Sequence, residues 1–342
     1  MSLASHLHRG ALGDWFSDRV DPAPVVDRVG DALRGRVPLR PPRHARNSQP
    51  ALVAGALRLR VGLAVQHAPP YSALLGAHRL GLADTRTVHA VAGRFPSHAS
   101  LDPARRRVAL RLRPTRSGWI EVGGIGSPPP AGPIDLRRRV VPDLASVLLN
   151  QLEPPGRIAD RATETALAAA CWAAVRWSLG GIALPDERSE QAAEVVDLLE
   201  LISESGLLTR LHRWAGRPTG GCALGVADPV VVPGWASGGT LVGRGPGALL
   251  VEVSGHPDPM RRPDGLRRAL HHLLARAWLD RVHGVHGIGH LGILFARHGV
   301  LVTADVAEFG PPPGEFVAAA HRVAAADGIR LRPPAVLEER AS

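Results

Sequence analysis

The chain contains no lysine, and all 41 of its basic residues are arginine. No site in it can therefore use a lysine ammonium group. Aromatic residues are scarce, with one Tyr and five Phe, so stacking of bases on aromatic rings is not a visible theme. The two cysteines, Cys171 and Cys222, lie far apart and lack CxxC spacing. They read as reduced core thiols of a cytoplasmic protein. No apolar run approaches the roughly 18 residues that a membrane helix needs, which argues against a membrane partner. The opening "MSLASHLHRGALGDWF" has no signal-peptide apolar region. The loop "GGIGSPPPAGP" is rich in glycine, but neither GK[ST] nor a clear helix follows it, so it is no phosphate loop.

What is present is globular. Apolar residues make up 45% and charged residues 21% of 342, enough for one large domain or two ordinary ones. The abundance of Arg, Ala, Gly and Pro fits the codon bias of a GC-rich genome, and part of the net charge of +10 follows from that habit. Its distribution is uneven. Residues 1–140 hold 22 Arg against 9 acids, whereas residues 141–342 hold 19 against 22. The basic half includes "RRRVALRLRPTR", with Arg105, Arg106 and Arg107, and also Arg137 to Arg139. Such a surplus favours polyanions through counterion release. A solvated arginine-rich surface is the plainer alternative.

Punctuation divides the chain into a basic region of mixed helix and strand, 1–135, and a second region, 136–342. Prolines in "DPAP", "VPLRPPR" and "NSQP" predict short helices with linkers over the first 50 residues. "ALVAGALRLRVGLAVQ" at 51–66 fits a strand or a buried helix, and periodicity does not decide between them. "RVALRLRP" alternates Arg with Val and Leu, which predicts a strand with one basic face, and "GWIEVGG" is a candidate partner. Helices are expected over 140–153 and 160–179, and 186–214 reads as either one amphipathic helix or two divided at Gly206. From residue 222 strands take over. "CALGVADPVVVP", "ALLVEVS" and "HLGILFARHGVLVTADV" are apolar and β-branched. A helix over 264–282 separates the last two, and a helix over 314–328 closes the chain. The expected fold is α/β or α+β, a mixed sheet flanked by helices that follows a largely helical, basic N-terminal region.

Two carboxylates interrupt the strands. Asp228 sits in "VADPVVV" and Glu252 in "LLVEVS". A stranded carboxylate costs several kcal/mol, roughly the penalty of any buried unpaired charge. Two of them on adjacent strands would instead hold Mg²⁺, which takes oxygen ligands and activates water for attack on phosphate. A turn cap and a strand-edge charge are the plain structural reading. In this stretch the chain resembles the PD-(D/E)XK, restriction-endonuclease-like superfamily. That core is a helix, a β-meander, a helix and a further strand, with an Asp early in one strand and an acid-x-Lys on the next. The resemblance covers about residues 186–325. It implies Asp228 and Glu252 as catalytic metal ligands, with Ser254 in the lysine slot. "HLLAR" matches the Gln-x3-Tyr of the recombination-exonuclease branch, with His272 in the Gln position and Arg276 in the Tyr position. His272 joins the catalytic set on that basis. Arg268 and Arg276, with Arg105, Arg106 and Arg107, are the expected phosphate contacts.

Ser254 cannot orient or polarise water as an ammonium does, and no lysine elsewhere can replace it. Arg261, Arg262, Arg268 or His256 are possible stand-ins, but a guanidinium is permanently charged and differently shaped. The resemblance then implies a nucleic-acid-binding protein, with DNA the expected type, on a degenerate nuclease domain whose cleavage is weak or lost. The implied setting is bacterial genome maintenance or defence. An active Mg²⁺-dependent nuclease using Arg or His, and a non-enzymatic interaction scaffold, are the other readings.

Three further patterns carry less. Arg268, His272 and Arg276, spaced i, i+4, i+8, line one helix face, which is expected to look onto the cleft. Arg267 and His272 fit the R-x4-H spacing of HEPN ribonucleases, but those are all-helical and strands flank this helix. "HGVHGIGH" spaces His283, His286 and His290 as zinc ligands, but no carboxylate or Cys follows at motif spacing, so these read as loop histidines.

Overall fold

The computed structural model of the chain describes residues 3–41, 50–66, 69–95, 111–115, 118–121, 154, 156–179, 186–216, 226–227, 231, 239–243, 247–261, 263–283, 286–329 and 331. Cys222, Asp228, Arg105, Arg106, Arg107, Arg137 to Arg139, the 140–153 helix and the 123–133 loop lie outside them.

Three short helices open the chain: α1 (Leu3–Arg9), α2 (Ala11–Arg19) and α3 (Ala23–Leu33). The ambiguous run at 51–66 is helix α4 (Pro50–Gln66). Most of its side chains from Leu52 to Val65 are buried, so its apolar residues show no single-faced stripe. Its one fully buried charge, Arg60, is met by Glu164 from another helix (Nε to Oε2 2.8 Å, Nη2 to Oε1 2.6 Å). Helices α5 (Tyr71–Arg79) and α6 (Thr85–Gly93) follow. Strands β1 (Arg111–Thr115) and β2 (Gly118–Glu121) pair antiparallel, the partnership expected of "RLRP" and "GWIE".

Helix α7 (Arg161–Ser178) is buried through its middle. It starts where Asp160 accepts hydrogen bonds from the backbone of Ala162 and Thr163. The 186–214 stretch is two helices, α8 (Glu190–Glu204) and α9 (Leu207–Ala215). The break falls at Gly206, whose φ of 70° only glycine adopts freely.

The last third forms a five-stranded sheet in the order β3 (Val226–Ala227), β4 (Thr240–Val242), β5 (Ala248–Ser254), β6 (Ile288–Phe295), β7 (Val300–Asp305). The first three strands run as an antiparallel meander, β5 and β6 are parallel, and β7 turns back antiparallel. A parallel neighbour needs a crossover, supplied here by helix α10 (Pro263–His283). Helix α11 (Gly314–Ala326) closes the described chain.

Alternation along the strands sends side chains to two different cores. Leu249, Val251 and Val253 join α4, α7, α8 and α9 on one face. Ala248 and Leu250 join α1, α2, α3, α10 and α11 on the other. Each fully buried Leu in β5 contributes about 1.5–3 kcal/mol. The sheet is thus covered on both sides, and residues 3–95 contribute to both cores. The architecture is mixed α/β with helices dominating. No described helix is long and apolar enough to cross a membrane.

Candidate functional site

Glu252 sits on β5 at an even position, so it points with Ala248, Leu250 and Ser254 toward the α10 side of the sheet. It is half-buried, as is Ser254. Its register partner on β6 is Ile293, and that of Ser254 is Phe295. On the other side Thr240 pairs with Val251, which brings Gly239 next in line beside Glu252.

Asp228, the expected partner of Glu252, lies outside the described residues. β4 lies between β3 and β5 and pairs antiparallel with both. The strand beside Glu252 presents Gly239. That glycine has φ +83°, and a Cβ there would stand 2.9 Å from the Val251 carbonyl oxygen and 3.4 Å from Nη1 of Arg276. No second carboxylate meets Glu252 among the described residues, and no three His, Cys, Asp or Glu side chains converge on a metal-sized site among them. Of the two expected metal ligands only Glu252 is among the described residues, and a single carboxylate does not by itself make a Mg²⁺ site.

The helix-face pattern on α10 takes an unexpected course. Arg268, His272 and Arg276 do lie along one line, but that line runs from solvent into the core. Arg268 is exposed, and its Nε donates to the Asp264 carbonyl oxygen at 3.1 Å. His272 is half-buried, and Arg276 is only 1% exposed. The expectation that Arg276 faces phosphate is corrected accordingly: the second half of α10 is buried under its neighbours, including α1. Nη2 of Arg276 donates to the His272 ring, 2.9 Å from Nε2 and 3.1 Å from Nδ1. Burial first, then the charges of Arg276 and His8, push the His272 pKa down to about 2. A ring held neutral in this way cannot deliver a proton near neutral pH.

Two of the three histidines of "HGVHGIGH" have described side chains. His290 lies on β6, half-exposed, its ring edge-on to Trp214 at 4.9 Å and 3.9 Å from Asp305. His286 is positioned through its backbone, whose N–H donates to Asp280 at 2.7 Å. Asp280 also accepts from Ile288 N–H at 2.8 Å, so this buried carboxylate fixes the entry into β6. The His283 side chain lies outside the described residues.

Sequence reasoning missed the buried ion pairs. Arg60 with Glu164 ties α4 to α7, and Ala159 N–H adds a third bond to that carboxylate. Arg297, in the turn after β6, clamps three elements. Nη2 donates to Glu194 on α8, Nε to the Gly255 carbonyl oxygen at 2.6 Å, and Nη1 to the Leu39 carbonyl oxygen at 3.1 Å. A charge set in apolar surroundings was the available signal, present at Arg60 and Arg297 as it was at Glu252. Matching the partners needed the tertiary packing.

Set against family models, curated proteins and solved structures, the chain matches none.

Proposed function

We propose that this protein binds nucleic acid through a degenerate PD-(D/E)XK-like core that no longer cleaves. The order of its pieces supports the reading: an antiparallel meander, a crossover helix, then a strand parallel to the meander's last. Glu252 occupies the acid position on that last strand and Ser254 the lysine slot. The observation that carries the loss of cleavage is Arg276. Its buried guanidinium lies against Gly239, beside the strand that bears Glu252. A guanidinium is permanently charged, so Arg276 cannot give or take a proton in place of the missing lysine. Beside it stands a neutral histidine instead of an acid or base.

The test combines duplex-DNA binding over a salt series with plasmid nicking in Mg²⁺ or Mn²⁺. Binding that weakens steeply with salt, with no metal-dependent nicking, is expected. Nicking that disappears in Glu252→Ala would establish an active nuclease instead. Absence of binding even at low salt would leave the scaffold reading.

A further inference from the structure

Between Asp31 and Asp84 the chain carries eight arginines and no Asp or Glu, and five of those arginines fall within residues 34–46. The described part of that run, residues 34–41, leaves α3 through a turn and continues as irregular chain to the end of the sheet. It is fixed there at Leu39, whose N–H donates to the Arg297 carbonyl oxygen at 2.8 Å and whose own carbonyl oxygen accepts from Nη1 of Arg297 at 3.1 Å. Arg297 also holds the Gly255 carbonyl oxygen, one residue past β5. The segment therefore lies at the carboxyl ends of the parallel strands β5 and β6. In open α/β sheets ligands bind outside the carboxyl ends of the strands.

The side chains of this segment face water. Arg36 and Arg40 are exposed, and neither has a carboxylate within ion-pair distance among the described residues; Arg34 is paired with Asp31 at 2.6 Å. Val37 is 86% exposed and Leu39 37%, and they are two of the three exposed large apolar side chains among the described residues. His298 lies in the same place. It is 8% exposed and its Nδ1 has no hydrogen-bond partner. Burial lowers its pKa; Asp258 opposes that shift, and Arg36 and Arg297 add to it. Asp258 is the carboxylate that acts on His298 here, and its Oδ1 accepts from the Arg261 backbone N–H at 3.1 Å.

We propose that Arg36 and Arg40 are the principal contacts of this protein with the phosphodiester backbone of duplex DNA. The proposal rests on the nucleic-acid reading above. Four residues of extended chain span about 13–14 Å. One strand of a duplex places a charge at about every 3.4 Å along the axis. Arg36 and Arg40 are at most that four-residue span apart, so both guanidiniums reach phosphates of a single strand. The tether to Arg297 holds the segment in its binding form in advance, which limits the entropy lost on binding.

The experiment measures duplex-DNA affinity by fluorescence anisotropy over a salt series. It compares wild type, Arg36→Gln with Arg40→Gln together, and Arg322→Gln. Arg322 is an exposed residue of α11 with no ion pair among the described residues. All three proteins should melt alike. The double variant should flatten the log–log salt slope by about 1.8, or about 0.9 per phosphate lost, and bind at least tenfold more weakly at low salt. Arg322→Gln should match wild type. A double variant with the wild-type slope would overturn this assignment and leave the nucleic-acid reading standing. A wild type that shows no salt-dependent binding would overturn both.

Discussion

Arg297→Met should be among the most destabilising single changes in this protein. Arg297 is 4% exposed and Glu194 is 2% exposed, and they bind each other. Replacing the arginine leaves the Glu194 carboxylate buried, with one oxygen, Oε2, that already lacks a partner. Removing one member of a buried pair costs about 3–5 kcal/mol, most of it from the charge left behind. The carbonyl oxygens of Gly255 and Leu39 also lose their donor, a further effect of about 1 kcal/mol where water does not replace it. At about 2–4 °C per kcal/mol for a chain of this order, the melting temperature should fall by at least about 6 °C. The informative measurement is a double-mutant cycle by urea unfolding, with Glu194→Met as the second change. Apolar side chains of similar volume should restore stability to within about 1–2 kcal/mol of wild type, because no charge then remains to be desolvated. A double variant as unstable as Arg297→Met would refute the reasoning. It would assign the effect to the lost backbone contacts and not to the stranded carboxylate.

Three other changes probe the candidate site and the core. The pKa of His272 is lowered in the folded protein, so its stabilising contribution is complete above the unfolded value near 6.5 and is lost as pH falls toward about 2. His272→Gln should reduce the loss of stability on acidification by up to about 1.4 kcal/mol per pH unit just below that value, and an identical slope in both proteins would show that the ring is not buried neutral. Gly239→Ala adds a Cβ 2.9 Å from the Val251 carbonyl oxygen at a φ of +83°; it should destabilise by about 1–3 kcal/mol in urea unfolding, and a neutral result would contradict the geometry beside Glu252. Burial pushes the Cys171 thiol up to about 12, so alkylation at mildly alkaline pH should label it only after denaturation; its rapid labelling in the native protein would place it outside the core.

The element types of the last third were legible along the chain. Apolar, β-branched runs became β5, β6 and β7, and the caps and stops around residues 160, 206 and 263 marked real helix ends, because these signals depend on neighbours only a few residues away. The run at 51–66 was not decidable that way. It is helical because its many apolar faces are all covered, by α7, α8 and the sheet, and that cover comes from distant parts of the chain. Glu252 was recognisable as an anomaly from its apolar flanks alone. Its surroundings were not, because strand order is set by which hairpins form, and those put Gly239 beside it. Arg268, His272 and Arg276 share a face, as the helical repeat requires. Only the packing of α1 and the sheet against α10 determined that the face sinks from water at Arg268 to full burial at Arg276. The same holds for Arg297. Its sequence neighbours give no hint of Glu194 or Leu39, which reach it across 103 and 258 residues of chain, and only the folded core brings them within hydrogen-bonding distance.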